Sequence, residues 1–174
     1  MTTPSPTQLG PFQGLAPERI LEVVESALGI RCSNLCRSYN SYINRVFEIA
    51  DTSGNGMVVK FYRPGRWSAQ ALQDEHDFLL ELAEEEIPVL APLPLQDGTT
   101  LAQLGEMYFA IFAKKGGRLI DEFTDELWLA VGRLLGRMHM VGARKTAKDR
   151  VRMHPAHTTK AQVEFIRTSG LVPD

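Results

Sequence analysis

The sequence predicts an α+β fold, in which an antiparallel five-stranded sheet with one inserted helix leads into helical structure. Three observations carry this. Strand-like runs over 35–40, 45–50 and 57–62 follow one another with turn residues between them, as in a meander. A run of helical period over 69–84 separates them from two further strands around 100–104 and 107–112. After Lys114-Lys115-Gly116-Gly117 breaks the pattern, apolar spacing turns helical again.

Residues 1–14 are polar and rich in Pro and Gly, and are expected to form a disordered tail. Pro17-Glu18 opens a short amphipathic helix with Ile20, Leu21, Val24 and Leu28 on one face, and Gly29 ends it. In the second strand Val46, Glu48 and Ala50 share one face, Phe47 and Ile49 the other. The stretch DTSGNG over 51–56 is a turn, with Asn55-Gly56 typical of a hairpin. Arg63-Pro64-Gly65 stops the third strand. Ser68 can cap the inserted helix, where Ala71, Leu72, Phe78, Leu79 and Leu82 recur at helical spacing. Proline punctuates 87–94, which therefore cannot be a central strand. Thr124 can cap a long helix to about residue 140, with Asp125 and Glu126 near its positive end. Residues 144–152 read as a basic, polar connector, and Thr159 with Gln162 fits a capping box for a last short helix.

Composition narrows the class. With 44% hydrophobic and 23% charged residues the chain can bury a core. A net charge of −2 offers no attraction to nucleic acid or to an anionic membrane. No apolar run approaches the roughly 18–20 residues of a membrane span. The N-terminus lacks the basic start and apolar core of a signal peptide, so a cytoplasmic location is expected. Cys32 and Cys36 are the only cysteines and read as free thiols, because no further ligands stand nearby for a metal.

Lys60 is the most informative residue. It sits inside the apolar run 57–62, where an unpaired ammonium would be costly to bury. By the period of two, Val58, Lys60 and Tyr62 face opposite to Val59 and Phe61. Taken alone it fits an edge-strand lysine facing water as well as a functional cation. Glu75 in the inserted helix could pair with it, or could join Glu81, Glu84, Glu85 and Glu86 on a solvated face. The turn 40–45 contains no glycine; Ser41 and Asn44 could offer polar groups to phosphate oxygens or could simply make a turn.

The motif Asn40-Ser41-Tyr42 with Asn44-Arg45-Val46, followed by Val58-Val59-Lys60-Phe61-Tyr62-Arg63-Pro64 with Arg66-Trp67, closely resembles the bacterial stress response kinase A family (YihE/RdoA). The resemblance continues through Glu75-His76, Pro88-Val89, Ala91-Pro92, Tyr108-Phe109-Ala110 with Phe112, Gly116-Gly117-Arg118 and Leu135-Gly136-Arg137-Met138-His139. It covers about residues 15–174. It implies the aminoglycoside-phosphotransferase-like branch of the protein-kinase-like fold. Residues 15–113 would then be the small lobe, 114–123 a hinge or linker, and 124–174 the first helices of a truncated large lobe. It also implies an ATP- and Mg2+-dependent serine/threonine protein kinase of stress response, with ATP and a protein substrate as partners. Lys60 would contact phosphate and Glu75 would hold it. Ser41 would contact ATP with Asn44 nearby, and Phe112, Ala113 and Lys114 would form the adenine-binding hinge. Ile43 departs from the acidic residue usual in the family.

Relatives in that family carry a His-Gly-Asp segment followed by Asn, and a later metal-binding Asp, downstream of the matched stretch. None of His76, His139, His154 and His157 is followed by such a pattern, so no catalytic residue is assigned and residues 1–174 alone are expected to be inactive. Two other readings stay open: a small-molecule kinase of the aminoglycoside or amino-alcohol type, and a non-catalytic nucleotide-binding or interaction module. Apolar residues of the last helices, such as Val163, Phe165 and Ile166, suggest self-association.

Overall fold

The computed structural model describes residues 12–117, 120 and 122–170. Helix α1 (Pro17–Leu28) precedes strands β1 (Cys32–Tyr39), β2 (Arg45–Asp51) and β3 (Gly56–Phe61). Helix α2 (Ala69–Glu84) is followed by β4 (Ala102–Leu104) and β5 (Met107–Ala113). Beyond the linker come α3 (Asp125–Gly142), a single π-helical turn at Ala156–Lys160, and α4 (Ala161–Thr168). All five strands pair antiparallel in the order β1-β2-β3-β5-β4. The expected sheet and inserted helix are therefore present.

The strand period sorts the two faces of the sheet. Ile49, Met57, Val59, Phe61, Phe109 and Ile111 join Ile20 and Val24 of α1 in the main core. Phe61 is its centre, fully buried, edge-on to Phe47 at 6.1 Å and tilted against Phe109 at 5.3 Å. Burying such a side chain contributes about 1.5–3 kcal/mol. The opposite face carries α2 through Tyr62, Leu72 and Ala110. A third cluster of Leu82, Ile87 and Val141 joins α2 to α3.

Local signals act as expected in several places. Gly29 takes the left-handed conformation (φ 67°) that ends α1. The hydroxyl oxygens of Ser68 and Thr124 accept from Ala71 N–H and Leu127 N–H, capping α2 and α3. The proline-rich 87–94 stretch runs beside β5, where Leu93 N–H donates to Ile111 O at 2.7 Å.

Other details differ from expectation. Strand β1 begins at Cys32, before the expected 35–40, because a register shift between Cys32 and Cys36 lets pairing resume across an irregularity. The turn after β2 is organised by the Asp51 carboxylate, which accepts from Ser53 N–H and Asn55 N–H. Gly54 (φ 86°) makes the bend, and Gly56 already belongs to β3, so Asn55-Gly56 is not the centre of a two-residue hairpin. Thr159 forms no capping box, because it lies inside the π-helical turn that runs into α4 without a side-chain cap. Of the tail expected over 1–14, residues 1–11 lie outside the described residues, whereas Phe12 packs on the core and under the Arg45 guanidinium. Of the linker expected over 114–123, Arg118, Leu119 and Asp121 also lie outside them.

Candidate nucleotide site

Lys60 stands on the α2-bearing face of β3, between Val46 of β2 and Ala110 of β5 in register. Its Nζ donates to Glu75 Oε1 at 3.0 Å and lies 4.4 Å from the centre of the Tyr62 ring. Both partners of the pair keep 26% of their side-chain surface exposed. The carboxylate offsets part of the ammonium's dehydration, and the exposure leaves Lys60 open to an incoming anion. Register places Val58 and Phe112 two residues along on the same face, so a cation borders a half-buried apolar strip. Such a surface suits a ligand with an anionic end and a flat apolar one.

Helix α2 is rotated into place by the residue after Glu75. His76 is fully buried, with Nε2 within 3.0 Å of the Tyr62 hydroxyl and Nδ1 within 2.8 Å of Thr100 Oγ1. Burial pushes its imidazole below the ordinary value and the Tyr62 phenol above it, which keeps both neutral. This buried hydrogen-bonded chain anchors α2 and directs Glu75 toward Lys60. His76 is thus a structural histidine.

The remaining expected residues divide. Asn44 Oδ1 accepts from Arg63 N–H at 3.3 Å, tying the β1–β2 turn to the chain leaving β3. Ser41 is half-buried in that turn, beside a fully exposed Tyr42. At the end of β5, Lys114 N–H donates to Gly56 O at 3.0 Å, and Tyr62 N–H bonds Tyr108 O at the other end of the same ladder. Bonds therefore fall on alternate pairs, which engages Phe112 with Val58 and turns the N–H and C=O of Ala113 away from β3. The Lys114 N–H belongs to the sheet, and the N–H of Ala113 faces the segment around Pro92, which bridges β5 at Phe112. The Phe112 ring packs edge-on to His76 at 6.4 Å.

Two clusters were not anticipated. The nearly buried Glu48 carboxylate accepts from the Lys114 ammonium, the Arg37 guanidinium and, at 2.6 Å, the Tyr39 hydroxyl. These donors, Lys114 first, hold its carboxyl at about 2. Arg150, in the expected connector, bonds the second oxygen of Glu75 at 3.1 Å. A basic residue in 144–152 was visible in the sequence, but its contact with α2 had no local signal.

Cys32 and Cys36 are free and half-buried, and burial raises both thiols above their ordinary value. Among the described residues no group of three or more His, Cys, Asp or Glu is placed to hold a metal ion. Nor is any helix among them long and apolar enough to cross a membrane.

The phosphotransferase enzyme family matches residues 36–168. The chain is 42% identical over 134 residues to stress response kinase A of Salmonella choleraesuis (strain SC-B67), and the match covers 77% of this chain. Identity and coverage are the same for the serine/threonine protein kinase RdoA of Salmonella typhimurium (strain LT2). The matched stretch spans 40% of the length of each of these curated relatives. Among solved structures, amicoumacin kinase hAmiN, in complex with AMP-PNP, Ca2+ and Ami, superposes with a TM-score of 0.72 at 19% identity. That superposition covers 88% of this chain and 47% of the kinase, and it identifies the fold as the expected kinase-like one. On the match over residues 36–168 and the identity to these kinases, the chain belongs to the phosphotransferase enzyme family.

Proposed function

We propose that this chain forms the nucleotide-binding part of an ATP-dependent kinase of the stress-response type, which transfers the γ-phosphate to serine or threonine hydroxyls of proteins. The observation that carries the reading is the half-exposed Lys60–Glu75 pair at 3.0 Å beside an apolar strip. In kinase folds a strand lysine held by a helix carboxylate grips the α- and β-phosphates of ATP. Adenine would lie against Val46, Val58 and Phe112, with its edge on the carbonyl of Ala113. Lys114 would contribute through its carbonyl. Ser41 and Asn44, in the turn between β1 and β2, would close over the phosphates. ATP arrives with Mg2+, whose protein ligands we assign outside the described residues, together with the group that orients the substrate hydroxyl. For residues 1–174 alone we expect weak ATP binding and no measurable phosphotransfer.

The protein-substrate assignment draws support from the names of relatives at 42% identity. Amicoumacin kinase favours a second reading, phosphorylation of a small molecule, on fold similarity alone. The deciding experiment supplies radiolabelled ATP to the longest natural protein that contains this chain, with a mixed protein substrate and an aminoglycoside panel. Label on protein seryl or threonyl residues, abolished by Lys60→Met, is expected. Label only on the small molecules would favour the second reading, and turnover unchanged by Lys60→Met would overturn the nucleotide site itself.

A further inference from the structure

Glu75 is held from two sides. Lys60 takes Oε1 at 3.0 Å, and Arg150, 75 residues away along the chain, takes Oε2 at 3.1 Å through Nη1. The guanidinium of Arg150 also stacks 4.3 Å from the centre of the Trp67 ring, and Nη1 reaches Ala71 O at 3.5 Å. One residue earlier, Asp149 N–H donates to the Asp74 carboxylate at 2.9 Å. Lys145 pairs with Glu81 and Arg144 with Glu85, so the segment after α3 runs along α2 as a string of ion pairs. The Arg150 contact is the more enclosed one, with side chains 32% and 26% exposed; the ordinary surface pair Arg19–Glu22 shows 49% and 66%.

Two physical consequences follow. A lone Lys60–Glu75 pair is electrically neutral and attracts a polyphosphate weakly, whereas three groups that include Arg150 carry a net positive charge. Physiological salt screens such a charge over roughly 8 Å, so it can act on an anion it does not touch. Further, a glutamate bonded through one oxygen can rotate away, whereas one bonded through both oxygens to anchored partners is fixed. Trp67 supplies the anchor for Arg150 by cation–π stacking.

We propose that Arg150 is a positioning residue for nucleotide binding: it fixes Glu75, through it Lys60, and keeps the trio positive toward the phosphates. This rests on the reading of Lys60 as the phosphate-contacting lysine. It also makes the segment after α3 part of the nucleotide site, although that segment need not touch the nucleotide.

The test titrates the 174-residue chain with MgATP and, separately, with adenosine, in four forms: unmodified, Lys60→Met, Arg150→Gln and Arg150→Lys. We expect Arg150→Gln to weaken MgATP about tenfold while leaving adenosine within about twofold, because only the phosphates sense the lost charge and order. Arg150→Lys should restore most of the MgATP affinity by returning the charge. Equal weakening of MgATP and adenosine by Arg150→Gln would mark a merely structural role and overturn the proposal. MgATP affinity unchanged by Arg150→Gln but lowered by Lys60→Met would overturn it too and leave the nucleotide site standing. MgATP affinity unchanged by Lys60→Met, or undetectable in the unmodified chain, would overturn both.

Discussion

Phe61 and Phe165 are both phenylalanines of regular elements expected from the sequence, yet one is fully buried and the other 61% exposed. The contrast runs through the whole molecule. In the sheet half, the apolar faces of α1, α2 and the central strands close on one another in continuous clusters. In the helical half, Trp128, Leu129 and Met140 of α3 and Val163, Phe165 and Ile166 of α4 are exposed, and Val141 alone of α3 is buried, at the seam with α2. An amphipathic pattern states that a face needs a partner, and only the tertiary contacts say whether the described residues contain that partner. The sheet half is a folded core that positions Lys60, and the helical half is attached to it at one seam and through the ion pairs of the connector.

The sharpest way to break this comparison is to cut into each half. Phe61→Ala should cost about 3–5 kcal/mol, measured as a shift of the urea midpoint, because the cavity would open at the centre of the main core. Leu82→Ala, at the seam, should cost about 2–5 kcal/mol and free α3 to exchange its amide hydrogens faster than the strands do. Equal exchange in α3 and β3 would show that the halves are one unit.

Charge gives a subtler probe of the sheet half. The Glu48 carboxyl is held at about 2 in the folded chain against an ordinary value of 4.5, so its contribution is fully present above the unfolded value. It is lost as pH falls toward the folded value. The urea midpoint of Glu48→Gln should therefore lie clearly below that of the unmodified chain at pH 7, with the gap about halved at pH 3 and mostly gone at pH 2. A gap undiminished at pH 2 would contradict the ion-pair account. The smallest effect on stability belongs to Phe165→Ser, within about 0.5 kcal/mol. The same change should lower any concentration-dependent association seen by sedimentation, since it removes part of an exposed apolar face.

Legibility in the sequence follows the range of each interaction. Ser68, Thr124 and Gly29 act on neighbours within a turn, and their roles could be read directly. The strand period and the next helix made the Lys60–Glu75 pair possible, and the resemblance of the surrounding motifs singled it out from a solvated lysine and glutamate. Glu48 with Lys114, and Glu75 with Arg150, join residues 66 and 75 positions apart, and nothing local marks such partners. His76 looked like any helix histidine, because Tyr62 and Thr100 reach it from separate segments. The Thr159 capping box failed for a different reason: the motif was present, but the helical stretch begins before it. The Lys114 N–H was reassigned only once the β3–β5 register was known.

The central claim is that the Lys60 ammonium faces the phosphates of bound ATP. An ATP acyl phosphate tests it directly, because a lysine beside the phosphates attacks the acyl carbon, forms an amide and releases the nucleotide. Mass spectrometry of the labelled chain should find the acyl group on Lys60, with labelling suppressed by excess ATP. Label confined to Lys114, Lys115 or the connector lysines, with Lys60 unmodified, would contradict the account.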